Sequence, residues 1–286
     1  MQAAFFDVGD TLVEHWAPAE VMSERMRARV CAELGEPQWI DELIAADLEP
    51  VPPLSLVQGI AAGFAGPRFE PEHSRQETDA WYRRWFTERG IDVTGIDLDR
   101  LRSLMCVPLA EISTPVPGAF ESLKWCADRG MRVVLVTNTL SRGDAEVLQD
   151  WESFGLDHAI HGVVSSHSVG WRKPHPRIFE RALAIAEAAP SEAFHVGDNL
   201  IADVYGAQQL GMRAVWRRTQ RDPAVRPTER PRPSGRPCMH PSDGLTLRGG
   251  DVICLSCDRP PGVEVRPDAI IDDLTELPAV VEPWLA

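Results

Sequence analysis

AAFFDVGDTL, residues 3–12, is the stretch that decides the fold of this chain. Its four leading residues are apolar and predict a short strand that is buried on both faces of a sheet. The strand ends at Asp7, and Gly9 then allows the backbone to turn. A carboxylate at the carboxyl end of a buried first strand lies where open α/β sheets place their ligands. An aspartate that caps a helix in a strand-to-helix loop would give the same pattern, so these residues alone leave both interpretations open.

Apolar runs downstream of Pro115 alternate with helical patterns. We predict strands at residues 133–136, 163–164, 193–196, 213–216 and 269–271, and helices at 142–154, 176–187 and 200–210. Strands that alternate with helices predict an α/β protein with a doubly wound parallel sheet. Residues 14–112, by contrast, carry helical patterns and few strand signals. We therefore interpret them as an insertion, a helical cap, between the first strand and the rest of the sheet.

The composition of the 286-residue chain argues against several classes of protein. A formal net charge of −14 argues against a nucleic-acid-binding protein, which needs a basic face. Apolar runs stay below the roughly 18 residues of a membrane-spanning helix, and the one before Asp7 is too short for a signal peptide. Cys31, Cys106 and Cys126 are scattered through apolar segments, as the buried thiols of a reduced protein are. We therefore expect a cytoplasmic protein without nucleic-acid or membrane partners, of an oligomeric state that the sequence does not reveal.

Polar side chains follow several of the predicted strands directly. Asp7, Thr137 and Asp198 each come after a buried strand, so the strands can bring them to one crevice. Lys173 precedes Pro174 in a loop that enters a helix. Two carboxylates, a hydroxyl and an ammonium group suit phosphoryl transfer, with Asp7 as nucleophile and Thr137 and Lys173 on the phosphate oxygens. Asp7 and Asp198 can share Mg²⁺, and backbone N–H groups after Asp7 can add to the phosphate cradle.

Each of these residues also has an ordinary structural interpretation. Thr137 can cap a helix, and Lys173 can be a solvated cation in a loop. Asp198 and Asp203 can be acids at a helix start, where the helix dipole favours them. Each structural interpretation is reasonable for one residue alone, but the joint occurrence of Asp7, Thr137, Lys173 and Asp198 in this order favours a functional site.

The motifs resemble those of the haloacid dehalogenase superfamily, most of whose members are phosphatases. Four motifs occur in the family's order, DVGDTL at 7–12, VTN at 136–138, the Lys173-Pro174 pair and GDNLIAD at 197–203. The resemblance divides the chain into a Rossmann-like core of 1–13, 113–218 and 267–286, a helical cap of 14–112, and an insertion of 219–266 that is rich in Pro and Arg. It implies that Asp7 is the nucleophile and a Mg²⁺ ligand, that Thr137, Asn138 and Lys173 bind phosphate, and that Asp198 binds Mg²⁺ with support from Asp203.

One position departs from the family pattern. Phosphatases of this family usually carry a second Asp two residues after the nucleophile, as general acid and base, and here that residue is Gly9. The family binds its metal there through a backbone carbonyl, so Gly9 can still be a Mg²⁺ ligand. What Gly9 cannot supply is proton transfer, which typically contributes about 10²- to 10⁴-fold in rate. Asp10 or a cap residue is the remaining candidate for that step.

Three functions follow from this resemblance. We predict a Mg²⁺-dependent phosphatase acting on a small phosphorylated metabolite, whose identity the sequence does not give. A dehalogenase is an alternative, since dehalogenases also lack the second Asp; they use no Mg²⁺, however, and Asp198 in GDN is the phosphatase form. Phosphonate-cleaving relatives need a cap lysine, which residues 14–112 lack. The other alternative is a binding or regulatory protein that keeps the fold but turns over little substrate, which Gly9 favours.

The insertion contains a cluster of metal-binding residue types. Cys254 and Cys257 have the Cys-x-x-Cys spacing that lets two thiolates bind one ion, and Cys238-x-His240 adds two further ligands. LTLRGGDVI, between them, predicts a hairpin that turns at Gly249-Gly250 and brings the pairs together. We predict a small zinc-ribbon-like unit with one structural Zn²⁺, because the segment has too few apolar residues to fold without one. The pattern also resembles the zinc loop of histidinol-phosphate and heptose-bisphosphate phosphatases, although there the loop precedes the Lys motif. Reduced, solvent-facing thiols are the alternative.

Overall fold

The strands in the described part of the chain fall into one large sheet and two small antiparallel pairs. The computed structural model describes residues 1–48, 73–139, 141–219, 244–246, 252–254 and 265–285. In chain order, the strands are β1 (Ala3–Phe6), β2 (Val13–His15), β3 (Ser113–Pro115), β4 (Arg132–Thr137), β5 (Gly162–Ser165), β6 (Ala193–Gly197), β7 (Arg213–Arg217), β8 (Gly244–Thr246), β9 (Val252–Cys254) and β10 (Ala269–Ile271). Six of them form a sheet in the order β10-β7-β6-β1-β4-β5, and all neighbours in it are parallel. This confirms the predicted parallel α/β sheet and puts β1 near its centre.

Helices cover the sheet and fill the segment between β2 and β3. They are α1 (Ala19–Leu34), α2 (Ile40–Asp47), α3 (His73–Glu88), α4 (Leu98–Met105), α5 (Ala119–Asp128), α6 (Asp144–Ser153), α7 (Ser166–Val169), α8 (Pro176–Ala186), a π-helical turn (Leu200–Tyr205) that runs into α9 (Gly206–Gln208), and α10 (Leu277–Val281). Short 3-10 turns lie at Leu109–Glu111, Asp157–Ala159, Pro190–Glu192, Leu274–Glu276 and Glu282–Trp284. Among the described helices, none has both the length and the apolar composition needed to cross a bilayer.

Both faces of the sheet are buried, because successive side chains of β1 point to opposite sides. Ala3 and Phe5 pack into one apolar core with Phe179 of α8. Ala4 and Phe6 pack into the other core. Helix α8 begins with Pro176, which fits the first helical turn, and its buried residues recur at helical spacing. The continuous apolar run of β1 therefore follows from a strand that is covered on both sides.

An antiparallel ribbon marks the two places where the chain passes between sheet and helical segment. Strand β2 pairs with β3, with Val13 opposite Pro115 and His15 opposite Ser113. Helices α1 to α4 lie between these strands in the chain. The ribbon thus spans the predicted boundaries after residues 13 and 112.

The insertion contains a second antiparallel pair. Gly244 to Thr246 pairs with Val252 to Cys254, as the predicted hairpin requires. Cys238, His240 and Cys257 lie outside the described residues, and so does the side chain of Cys254. The predicted zinc-ribbon-like unit therefore stays a prediction.

Candidate active site

Three strands deliver the central polar residues to one edge of the sheet. Asp7 follows β1, Thr137 is the last residue of β4, and Asp198 follows β6. Because these strands are adjacent and parallel, their carboxyl ends meet. Asp7 and Thr137 are buried, with 7% and 5% of their surface exposed. The crevice expected from the strand ends is therefore present.

Lys173 is buried against two carboxylates. Its Nζ donates to Oδ1 of Asp7 at 2.6 Å and to Oδ1 of Asp203 at 2.6 Å. Burial lowers the pKa of this ammonium, but Asp203 and Asp7 outweigh burial and raise the pKa above its ordinary value. Lys173 is therefore a charged, fixed donor at the sheet edge.

The side chain of Asn138 holds the loop that carries Lys173. Its Oδ1 accepts from the backbone N–H of Lys173 at 2.8 Å, and its Nδ2 donates to the carbonyl of the same residue at 3.1 Å. These two bonds fix Lys173 relative to the end of β4. The sequence predicted Asn138 as a phosphate ligand, and the structure adds this positioning contact.

Asp203 lies on the π-helical turn, which returns its carboxylate to the end of β6. Oδ2 accepts from the backbone N–H of Asn199 at 3.0 Å, and Oδ1 lies 2.9 Å from Nε2 of His195. Gly197 makes room for this carboxylate, since a Cβ there would come within 2.2 Å of the Asp203 Cγ. Burial acts to raise the pKa of Asp203, but Lys173 and His195 together hold it at about 2.

The site holds more negative than positive charge. Carboxylate oxygens of Asp7, Asp198 and Asp203 all lie within 4.8 Å of one another. Burial raises the pKa of Asp198 to about 8, with a further contribution from Asp7 and Asp203. Burial likewise raises the pKa of Asp7 to about 6, although Lys173 opposes the rise. Buried carboxylates that lack compensating charge fit a hard, oxygen-seeking cation such as Mg²⁺, because its charge would stabilise their ionised forms.

Thr11 joins two of these carboxylates. Its hydroxyl lies 3.2 Å from Oδ2 of Asp7 and 3.4 Å from Oδ1 of Asp198. Sequence reasoning missed Thr11, although it lies four residues after Asp7 in the decisive motif and is fully buried. The sequence signal that could have identified Thr11 is its place on the turn that follows the strand-end aspartate.

A cleft of about 250 Å³ opens beside this edge. It is lined by Val8, Gly9, His15, Leu109, Thr137, Asn138, Thr139, Ser141, Arg142 and Val147. Two residues come from the segment between β2 and β3 or its borders, His15 of the ribbon and Leu109 of a 3-10 turn. Asp10 is absent from this lining, as far as the described residues form it, while its carbonyl accepts from Arg217 at 2.6 Å. His15 thus places an imidazole at the cleft, and sequence analysis did not single it out.

Two ion pairs tie the helical segment to the wall of the cleft. Nη1 of Arg142 lies 2.7 Å from Oδ2 of Asp150, whose Oδ1 accepts from the backbone N–H of Leu109 at 2.8 Å. Nη2 of Arg102, on α4, lies 3.0 Å from Oε1 of Glu146 on α6. The contacts of Asp150 with Leu109 and of Arg102 with Glu146 join residues that are 41 and 44 positions apart, and they could not be read from the sequence.

Comparison with known proteins gives a match over most of the chain. A family model described as "Hydrolase: haloacid dehalogenase-like hydrolase" matches residues 1–211. The glyceraldehyde 3-phosphate phosphatase of Pyrococcus furiosus is 36% identical over 104 residues, which cover 35% of this chain and 41% of the relative. The phosphoserine phosphatase of Thermus thermophilus is 41% identical over 100 residues, which cover 35% of this chain and 39% of the relative. The chain therefore spans less than half of the length of these curated relatives.

Solved structures extend the similarity of fold to the full chain. A 2-haloacid dehalogenase from Pseudomonas syringae pv. tomato DC3000 has a TM-score of 0.52 at 23% identity and covers 99% of both chains. YfnB of Bacillus subtilis, a HAD-hydrolase structure bound to magnesium, has a TM-score of 0.50 at 17% identity and covers 98% of both chains. At these identities the similarity concerns the fold alone.

Proposed function

The chain belongs to the haloacid dehalogenase-like hydrolases, and from that premise we propose that it is a Mg²⁺-dependent phosphatase of a small phosphorylated metabolite. The observation that carries the proposal is the group of buried Asp7, Lys173 and Asp203 with half-buried Asp198 at the carboxyl edge of the sheet. It combines an anchored nucleophile with a fixed ammonium and with uncompensated negative charge. That combination suits the binding and displacement of a phosphoryl group.

The proposed reaction has two steps. A carboxylate oxygen of Asp7 attacks phosphorus, the ester P–O bond breaks, and the leaving alkoxide takes up a proton. Water then attacks the phosphorus of the aspartyl-phosphate, which releases inorganic phosphate and restores the Asp7 carboxylate. Lys173 and the Thr137 hydroxyl neutralise and orient the phosphate oxygens in both steps.

Asp7, Asp198 and the carbonyl of Gly9 would hold Mg²⁺, with Asp203 in support. The ion would neutralise charge on the phosphoryl group. In support, the three carboxylates lie close enough to share one ion, and the raised pKa values of Asp198 and Asp7 record missing positive charge.

Gly9 leaves proton transfer to another group. We propose that His15 or Asp10 transfers the proton, or that the substrate has a leaving group that departs as a stable anion. His15 lines the cleft together with Gly9, which supports His15 over Asp10. Separate His15→Gln and Asp10→Asn variants distinguish these sources.

The cleft favours a small substrate with polar groups. Its volume of about 250 Å³ is at the lower end for a ligand site, and Thr139, Ser141 and Arg142 supply polar walls. The two curated relatives are named for glyceraldehyde 3-phosphate and phosphoserine, both small phosphoesters. We therefore propose a substrate of similar size, which a panel of phosphorylated metabolites with purified protein would identify.

Hydrolysis of p-nitrophenyl phosphate tests the proposed function. We expect turnover with Mg²⁺, none with EDTA, and none in a folded Asp7→Asn variant. Asp128→Asn is the matched control, because Asp128 is exposed on α5 and pairs only with Lys124 among the contacts described. Parental turnover in Asp7→Asn would refute the assignment of the nucleophile.

Gly9 favours a second candidate function, a binding or regulatory protein with little turnover. Such a protein would bind phosphate compounds and Mg²⁺ without hydrolysing them. Binding without turnover in the same assay would identify it. Release of halide from 2-haloacids without Mg²⁺ would instead identify a dehalogenase.

We also propose one structural zinc ion in the insertion, held by Cys238, His240, Cys254 and Cys257. In support, β8 and β9 pair in antiparallel fashion in the stretch between the two ligand pairs. Elemental analysis of protein purified without a metal-affinity tag should find about one zinc per chain. Absence of zinc, together with freely titratable thiols, would contradict the site.

We propose a cytoplasmic location on the basis of the cysteines. Cys31, Cys106 and Cys126 are free thiols, as a reducing compartment would keep them. Mass spectrometry of alkylated protein from cells tests this, since disulfides at these positions would argue against it.

A further inference from the structure

His195 is a buried histidine whose side chain makes a single described hydrogen bond, to Asp203 of the site. It lies on β6, and none of its surface is exposed. Nε2 is 2.9 Å from Oδ1 of Asp203, while Nδ1 is buried and has no hydrogen-bond partner within the described part of the chain. The ring meets Phe179 edge to face, with centroids 5.1 Å apart. The imidazole thus faces the site on one side and apolar surroundings on the other.

This environment determines which nitrogen of the ring carries the proton. The Asp203 carboxylate is ionised and can only accept, so Nε2 carries the proton and donates it. Nδ1, on the other side of the ring, is buried and has no partner among the described residues. A buried polar atom without a partner destabilises the fold. The hydrogen bond to Asp203 is what a histidine supplies here and an apolar side chain of the same size would not.

The hydrogen bond from His195 fixes an atom that also holds Lys173. Oδ1 of Asp203 accepts from His195 and from Nζ of Lys173, and the same Nζ reaches Oδ1 of Asp7 at 2.6 Å. The other oxygen, Oδ2, is bound by the backbone of Asn199. Without the imidazole, Oδ1 loses its second donor, and the carboxylate can rotate about its bond to Cβ. Lys173 would then lose its alignment with Asp7.

We propose that His195 is a positioning residue that keeps Lys173 on Asp7 through Asp203. The catalytic part of this inference rests on the proposed phosphatase function, whereas the effect on Lys173 does not. The described hydrogen bond of the His195 side chain goes to Asp203, so His195 acts by orienting the Asp203 carboxylate.

Two substitutions separate this role from a structural one. In His195→Gln, the amide Nε2 can still donate to Asp203. In His195→Leu, a side chain of similar size has no donor. We expect the Gln variant to keep kcat within about threefold, and the Leu variant to fold but to lose about 10- to 100-fold in kcat. His195→Met replaces the Leu variant if that one does not fold.

The two lysines of the chain provide a readout that needs no activity. Protein labelled with ¹⁵N-lysine has one exposed ammonium, Lys124, and one buried ammonium, Lys173. The Lys173 signal should be protected from solvent exchange in the parent and in His195→Gln, and broadened in His195→Leu, while the Lys124 signal stays the same in all three. An unchanged Lys173 signal and parental kcat in His195→Leu would overturn the proposal, as would equal losses in the Gln and Leu variants. If the parent protein has no turnover, the phosphatase proposal fails, and the lysine signals still decide the role of His195.

Discussion

The two lysines of this chain form ion pairs of almost equal length in two contrasting regions. Lys124 lies 2.7 Å from Oδ2 of Asp128 on the surface of α5, and Lys173 lies 2.6 Å from Oδ1 of Asp7 at the edge of the sheet. The side chain of Lys124 is 63% exposed, and that of Lys173 is 2% exposed. Water solvates the first pair, so its contribution to stability is about 0.3–0.5 kcal/mol. Distance alone therefore says little about what an ion pair does.

Charge balance separates the two regions more clearly than burial does. On α5, one ammonium faces one carboxylate. At the sheet edge, the Lys173 ammonium donates to the carboxylates of Asp7 and Asp203, and Asp198 lies beside them; with all three carboxylates ionised, two negative charges would remain, the charge of one divalent cation. The pKa of Asp198, raised to about 8 by burial and its acidic neighbours, records that imbalance. A buried imbalance of this kind indicates a site that binds charge from outside, which a structural ion pair does not need.

The variants Lys173→Met and Lys124→Met test the contrast between the two ion pairs most directly. Removing Lys173 should lower turnover by about 10²- to 10³-fold, because the phosphate loses its fixed cation. It should also destabilise the fold by about 3–5 kcal/mol near pH 8, since two buried carboxylates lose their partner. Lys124→Met should change stability by less than about 1 kcal/mol and leave turnover unchanged. Phosphatase assays and urea unfolding measure both; equal effects of the two variants would remove the contrast.

The variant Gly9→Asp tests the active site further, because it adds the acidic side chain that position 9 lacks. A Cβ at Gly9 would meet no atom within 4 Å, so the first side-chain atom has room. We expect hydrolysis of alkyl phosphates to rise by about 10²-fold, because the new carboxyl group can protonate the leaving group. Aryl phosphates, which need little protonation, should gain much less.

The control for this variant is the parent protein across phosphates of graded leaving-group pKa. Its rate should fall steeply as that pKa rises. A flat dependence, with chemistry shown to be rate-limiting, would mean that His15, Asp10 or another group already serves as the acid.

Stability as a function of pH tests the charge imbalance without substrate. The pKa values of Asp198, about 8, and Asp7, about 6, lie above their ordinary value of 3.8. The folded state therefore binds protons that the unfolded state has lost, so metal-free protein should lose stability as the pH rises from about 4 to about 8. Mg²⁺ should restore stability most at pH 8, where the carboxylates are ionised.

Thermal unfolding with EDTA or Mg²⁺ at several pH values measures this effect, which we expect to be smaller than that of removing Lys173. Asp198→Asn should flatten the decline and reduce the Mg²⁺ shift. If the stability of Asp198→Asn declined with pH as steeply as that of the parent, and Mg²⁺ raised its unfolding temperature as much, Asp198 would not be the source of the pH dependence.

The sheet could be predicted because its strands are continuous apolar runs, as in Ala3–Phe6 of β1. Their carboxyl ends also predicted that Asp7 and Asp198 would meet. The π-helical turn at Leu200–Tyr205 could not be predicted, and a regular helix was expected there. That turn depends on the hydrogen bond from Asn199 to the Asp203 side chain, which periodicity does not encode.

Contacts across the chain were also beyond the sequence. The pairing of Arg142 with Asp150 beside Leu109 depends on how the helical segment lies on the sheet. His195 was read as one residue of a buried strand, because nothing in AFHV indicates which atom faces Asp203. Local patterns identify elements and strand ends, whereas the partners of buried polar groups require the assembled fold.

Chemical trapping of a phosphoenzyme tests the central claim, that Asp7 is the nucleophile. Because Gly9 removes the usual base for the second step, the aspartyl-phosphate should accumulate during turnover of an aryl phosphate labelled with ³²P. The account predicts label on the peptide that contains Asp7, released by hydroxylamine, and no label in Asp7→Asn. Turnover with label on another residue, or with equal label in Asp7→Asn, would contradict it.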